Sequence, residues 1–282
     1  MEILSLVIVL VGLVGNSMVL WLLGFRIPRN PFSVYILNLA EADVLFLCNF
    51  FFLLIPRSVG YYIHADIYYV LMNATFFFYC VGLSLLAAIS TGHCLAILFP
   101  DWHLHHHPKN TSIIVCLVLW ALPGLFWGLD FVLCDCVRSR FFCLKFCCLP
   151  VVWLVHFTPV MCVSSLTLLL RVQCNSQSRQ PPRLYLLVLL IVFMLLLCGL
   201  PRGIQDGILD FPSDFMPHWL PTLLVCLNSS THPFIYFLLG SRRSERGREP
   251  LRVILQRALA DEQELEDERR DSSLTNTQET PL

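Results

Sequence analysis

The sequence predicts an all-α membrane protein, a seven-transmembrane helix bundle with a short amphipathic helix after the seventh span. Three observations predict it. Of the 282 residues, 56% are hydrophobic and only 14% charged, where a soluble domain carries about 25% charged residues. The mean hydropathy is +0.68. Apolar runs of spanning length recur at residues 3–25, 32–57, 67–99, 111–134, 147–171, 184–209 and 216–239. A bilayer core about 30 Å thick needs about 20 such residues per helix. The links between runs are short, so residues 1–240 form one domain. A formal net charge of -1 gives no footprint for nucleic acid.

The first run, Ile3 to Phe25, has no basic residue before it and no small-residue cleavage site. It therefore reads as a spanning helix and not as a signal peptide. The third run carries no Asp, Glu, Lys or Arg from Ile67 to Pro100. As a helix it would extend about 50 Å, so it must tilt or protrude. Its last turns contain Ser90-Thr91-Gly92-His93-Cys94, and an ionisable residue near a membrane exit marks a candidate functional position. With the N-terminus outside, Arg26, Arg29, Lys109, Arg171, Arg179, Arg183 and the eight arginines of the tail fall in the cytosol. Arg57, Arg138, Arg140, Lys145 and Arg202 remain outside, in line with the positive-inside rule. After the seventh run, Leu251, Ile254, Leu255, Ala258 and Leu259 share one helical face. Residues 241–260 thus form a membrane-surface helix, and the acidic, Ser/Thr-containing segment 261–282 reads as a disordered cytoplasmic tail.

Polar residues stand inside three spans. Asn16 follows Gly15 in the first, Asp43 ends Asn38-Leu39-Ala40-Glu41-Ala42-Asp43 in the second, and Asn228 to His232 precede Pro233 in the seventh. A carboxylate in hydrocarbon needs partners. One buried cluster able to hold a cation satisfies all three spans; isolated helix–helix hydrogen bonds are the alternative. Pro233 also frees a backbone carbonyl one turn earlier.

These residues, with Trp120, Cys198-Gly199-Leu200-Pro201 and Pro233-Phe234-Ile235-Tyr236, resemble the signature positions of class A, rhodopsin-like G-protein-coupled receptors. Val19 to Arg26, Gly82 to Leu86, Leu196 to Pro201, Leu227 to Ser230 and Leu255 to Leu259 are similar to the Mas-related receptors, above all the X-type members. The resemblance runs through nearly the whole chain. It implies a plasma-membrane receptor for an extracellular ligand, partnered by a heterotrimeric G protein and by membrane lipid. Helix 6 would move about Pro201, with Cys198 and Gly199 beside the kink. Asp43, Asn228, Ser229 and His232 would form the sodium-type cluster, with a sodium ion at Asp43 the one cofactor implied. Pro233 and Tyr236 would mark the moving end of helix 7.

The resemblance also bears on the outer face. Helix 3 has no cysteine near its outer end, so the bridge to loop 2 usual in rhodopsin-like receptors is not expected. The Mas-related group ties helix 4 to helix 5, which places a disulfide at Cys134 and Cys143, with Cys136 as competitor. An acidic residue beside that bridge, here Asp130, resembles a counter-ion for cationic peptides or amphiphiles. The second acidic position of the group is Cys147 in this chain. Asp206 and Asp210, spaced i, i+4, could replace that charge, and Trp219 could supply an aromatic wall. At the cytosolic end, Gly92-His93 stand where the group carries Glu-Arg. That departure implies weakened G-protein activation, or a receptor-like protein that signals poorly.

Enzymatic function is not expected: the sequence has no Walker motif, no HExxH and no nucleophile elbow. The tract at His103, His105, His106 and His107 reads as a solvated loop. A seven-helix transporter is disfavoured by the lack of an internal repeat and by the apolar character of runs four to six.

Overall fold

A computed structural model describes residues 2–28, 30–61, 63–99, 111–136, 149–174, 183–199, 217, 219–241 and 250–256. The helices are α1 (Glu2–Phe25), α2 (Pro31–Val59), α3 (Ala65–Leu98), α4 (Thr111–Cys136), α5 (Leu149–Cys174), α6 (Arg183–Met194), α7 (Trp219–Ser241) and a short α8 (251–256). Six are long and apolar enough to cross a membrane, and α6 belongs to a shorter apolar stretch, Leu186–Gly199. Each expected span therefore has its helix, with ends that agree to within a few residues over the described part.

Local chemistry explains the boundaries. Pro31 opens α2, where its missing N–H costs nothing. Asn30 caps that end reciprocally with Ser33: the Ser33 N–H donates to Asn30 Oδ1 at 2.6 Å, and the Asn30 N–H donates to Ser33 Oγ at 2.9 Å. Prolines lie inside α2, α4, α5 and α7 at Pro56, Pro123, Pro159 and Pro233. Each removes one ladder bond, which membrane helices tolerate when a neighbour takes the freed carbonyl. One feature of the sixth span was not expected from the sequence, where only Pro201 marked a kink. The last described turn of α6, Leu195–Gly199, is a π turn.

The bundle is built around α3, which packs on α2, α4, α5 and α6; α1 closes against α2 and α7. Polar side chains tie the helices at defined heights, as expected where apolar lipid supplies no drive for association. Trp120 Nε1 of α4 donates to Asn38 Oδ1 of α2 at 3.0 Å. Trp153 Nε1 of α5 donates to Ser84 Oγ of α3 at 2.7 Å, and lower down Ser90 and Ser165 share a hydrogen bond at 3.2 Å. The largest core cluster runs along this axis, from Cys80 to Ile89 of α3 to Met161 and Leu168 of α5 and Leu187 to Leu195 of α6.

At the base, α8 docks under α7. Leu255 is fully buried, and a Cβ on Gly240 would lie 2.1 Å from the backbone oxygen of Ile254. Backbone cannot yield as a side-chain tip does. Gly240→Ala should therefore undock the segment 250–256, at a cost of about 1–3 kcal/mol. Amide hydrogen exchange there should accelerate about tenfold or more, and unchanged protection would contradict this packing.

Candidate functional site

Two acidic residues enter the middle of α2, and helical geometry sends them apart. Asp43 points inward and is buried. Its Oδ2 accepts from His232 Nδ1 of α7 at 2.6 Å. Facing a carboxylate, the imidazole carries its proton on Nδ1. Both side chains are buried in the centre of the bundle, where the interaction is stronger than at a surface and where losing either partner is costly.

The pair lines a small cavity of about 20 Å³, room for about one water. Its polar wall comes from Asp43 of α2, Tyr79 of α3, and Asn228, Ser229 and His232 of α7; Leu195 of the π turn closes it from α6. Tyr79 OH donates to the Gly199 carbonyl at 3.3 Å, so the cavity wall is bonded directly to the π turn. A Cβ on Gly199 would lie 2.7 Å from Leu195 Cδ1 and 3.8 Å from Tyr79 Oη. Glycine allows this close approach.

One turn away, the break at Pro233 is repaired from α1. Proline cannot donate to the Ser229 carbonyl, four residues earlier. Asn16 Nδ2 donates to that oxygen at 3.0 Å, and also to Gly12 O at 3.0 Å. Ser230 Oγ donates to Ile8 O at 3.1 Å, and the bare Cα of Gly12 admits this contact. Six buried side-chain polar atoms among the described residues have no hydrogen-bond partner, and four of them belong to this region: Asn16 Oδ1, Asn228 Oδ1, His232 Nε2 and Tyr236 Oη.

A sodium ion at Asp43 fits this arrangement poorly. Hard cations take oxygen ligands, and the Asp43 oxygen in question already holds the His232 ring. Gly82 in the cavity wall brings no side-chain oxygen, which leaves Asn228, Ser229 and a Tyr79 hydroxyl already bonded to Gly199 beside the carboxylate. A sodium ion at Oδ2 would have to displace the imidazole.

The other expected positions are distributed as follows. Asn228, Ser229 and His232 do gather at Asp43. Pro233 and Tyr236 are buried below them, and Cys198 and Gly199 sit in the π turn. His93 is buried near the C-terminal end of α3, its ring tilted against Phe32 with centroids 4.6 Å apart; Gly92 beside it is exposed. Trp219 opens α7 and is exposed, apart from the cluster. Asp130 and Cys134 belong to the C-terminal end of α4, with side chains outside the described residues. Cys143, Pro201, Asp206 and Asp210 also lie outside them. Cys80 is a free, buried thiol. Tyr79 was not expected in the site. It ends the run Phe76-Phe77-Phe78-Tyr79, which reads as plain core, and its one distinguishing group is the hydroxyl.

A bundle of apolar spans around a buried carboxylate, closed by a proline-broken seventh helix, is the build of a seven-helix G-protein-coupled receptor. Comparison with known proteins agrees. The chain is 42% identical over 281 residues to human Mas-related G-protein coupled receptor member X1, covering 95% of this chain and 85% of that one. It is 40% identical over 291 residues to mouse member B2, covering 99% and 86%. It is 42% identical over 272 residues to member D of Macaca fascicularis, covering 91% and 84%. No protein-family model matches the chain. The chain belongs to the Mas-related G-protein-coupled receptor family. It is accordingly a multi-pass plasma-membrane receptor and not an enzyme.

Proposed function

We propose that this receptor lies with its N-terminus outside, senses an extracellular cationic peptide or small amphiphile, and activates heterotrimeric G proteins. The observation that carries the reading is the Asp43–His232 cavity. It joins α2, α3 and α7 to the π turn of α6 through Tyr79 and Leu195. A polar network with open hydrogen-bonding atoms can exchange partners when a helix shifts, which is what a two-state receptor requires. In this reading His232, in place of a sodium ion, is the partner of Asp43. Residues 241–260 lie along the cytosolic membrane surface, and 261–282 are a tail.

Asp130 is the proposed counter-ion of the ligand, with Asp206, Asp210 and Trp219 around it and a Cys134–Cys143 bridge alongside. Asp130→Ala should raise the EC50 of a cationic peptide about tenfold or more, the scale of one lost ion pair of about 1.4 kcal/mol. A G-protein biosensor dose–response at matched surface expression checks this. An unchanged EC50 would remove Asp130 from the pocket.

A specific observation favours a second reading, that of weak signalling. His93 packs into the bundle against Phe32, and Gly92 offers no carboxylate. No ion pair between residues 92 and 93 can hold a resting state, and no guanidinium is available to a G protein at position 93.

A further inference from the structure

We propose that the outer face of α2, centred on Glu41, docks a transmembrane helix of a partner membrane protein that carries a basic side chain near mid-bilayer. Glu41 lies two residues from Asp43, a rotation of about 200° at 3.6 residues per turn. Asp43 therefore turns into the bundle and Glu41 away from it. Between Pro31 and Phe52, Glu41 is the only exposed residue of α2.

Its depth is that of the hydrocarbon centre. The span of α2 runs from Pro31 to Pro56, so Glu41 lies about 4 Å from its midpoint at 1.5 Å per residue. Among the described residues it makes no hydrogen bond or ion pair. The nearest polar side chain on its face is Asn38, three residues earlier, and that amide is already committed. It accepts from Trp120 Nε1 at 3.0 Å and donates to Val34 O at 2.8 Å. Carboxylates at such depth are retained where another group pairs with them.

The surroundings suit a helix. α1 and α4 each pack on α2 and scarcely on one another, so the outer face of α2 is the floor of a furrow between them. The span of α4 is only 17% buried and that of α1 28%, which leaves apolar walls on both sides.

A second copy of this chain lacks the complementary charge. Among the described residues no Lys or Arg stands in the middle of a span, and Arg202 of the run 184–209 falls in its outer half by sequence. His93 and His232 are buried. His156 is exposed on α5, but it lies on the outer side of the midpoint of its span, Val152–Leu170, while Glu41 lies on the inner side of its own. The two differ by about 11 Å in depth. The charge at Glu41 is therefore matched by a basic residue on a different protein.

The test uses the full chain in phosphatidylcholine nanodiscs. The probe is a fluorescent single-span Leu/Ala peptide with one Lys at its centre, and the reference is the same peptide with Leu there. The Lys peptide should associate about tenfold more tightly than the Leu peptide, as read by energy transfer. That advantage should vanish in Glu41→Leu and Glu41→Gln and survive in Glu41→Asp. Since Glu41 has no partner inside the bundle, Glu41→Gln should keep the wild-type melting temperature and decides the matter even if Glu41→Leu is poorly made. Equal binding of the two peptides, or binding insensitive to both variants, would overturn the proposal. Glu41-dependent energy transfer between copies of the chain alone would also overturn it, by making a second copy the occupant. None of these readouts depends on ligand response or G-protein coupling.

Discussion

His232→Ala should lower the stability of the solubilised receptor by about 3–5 kcal/mol, the usual cost of stripping a buried charge of its partner. His232 and Asp43 are 1% and 5% exposed as side chains, and their atoms are 2.6 Å apart. Removing the ring leaves the carboxylate facing Asn228, Ser229 and a cavity that holds about one water. The melting temperature should fall by on the order of 10 °C. Asp43→Leu combined with His232→Leu should recover most of that loss, because apolar replacement of both partners removes the desolvation penalty along with the pair. A thermal-shift series on His232→Ala, the two single leucine variants and the double variant checks this. Additive losses in the double variant would show that the two residues do not act as a pair.

The second large effect is expected at His93. His93→Arg should raise basal G-protein activation about tenfold at equal surface expression. A hydrogen bond from a charged donor contributes about 1.5–3 kcal/mol, and arginine offers a longer, forked and permanently charged group where the imidazole stops short. At position 93 the imidazole is spent on contact with Phe32 inside the bundle. Because Gly92 supplies no carboxylate, the introduced guanidinium would have no resting-state lock at that position. Its gain should therefore appear as basal activity and not only as ligand response. A biosensor reading without ligand measures it. An unchanged basal signal would mean that the identity of residue 93 is not what limits coupling.

These two histidines also mark how far the sequence could be read. The spans were legible because a helix in lipid must be apolar over its whole length, and the described ends of α1 to α5 and α7 fall close to the expected runs. The meeting of Asp43 and Asn228 at one cavity was legible too, since each is expensive in hydrocarbon without company, whereas Asn16 bonds to backbone carbonyls beside it. Partner choice was not. Composition cannot distinguish a carboxylate waiting for a cation from one already held by a histidine four residues before Tyr236. That depends on the rotation of α7 and on Asn16 reaching the carbonyl released by Pro233.

The π turn was equally hidden. Residues 195–199 read Leu-Leu-Leu-Cys-Gly, an ordinary apolar stretch. Only the close approach of Leu195 and Tyr79 to Gly199 gives the glycine its purpose. Glu41 shows the opposite case. Its neighbours in Asn38-Leu39-Ala40-Glu41-Ala42-Asp43 resemble the class A receptor signature, yet which of the two carboxylates faces the bundle becomes plain only when the helix is set against α3 and α7.

The most direct test of the proposed receptor function is a cellular G-protein biosensor assay with cationic peptides, run on the chain as it stands and on His93→Arg at matched surface expression. The account predicts ligand-dependent G-protein activation that is weak in the natural chain and clearly larger in His93→Arg. No ligand-dependent activation in either protein, with both present at the cell surface, would contradict it.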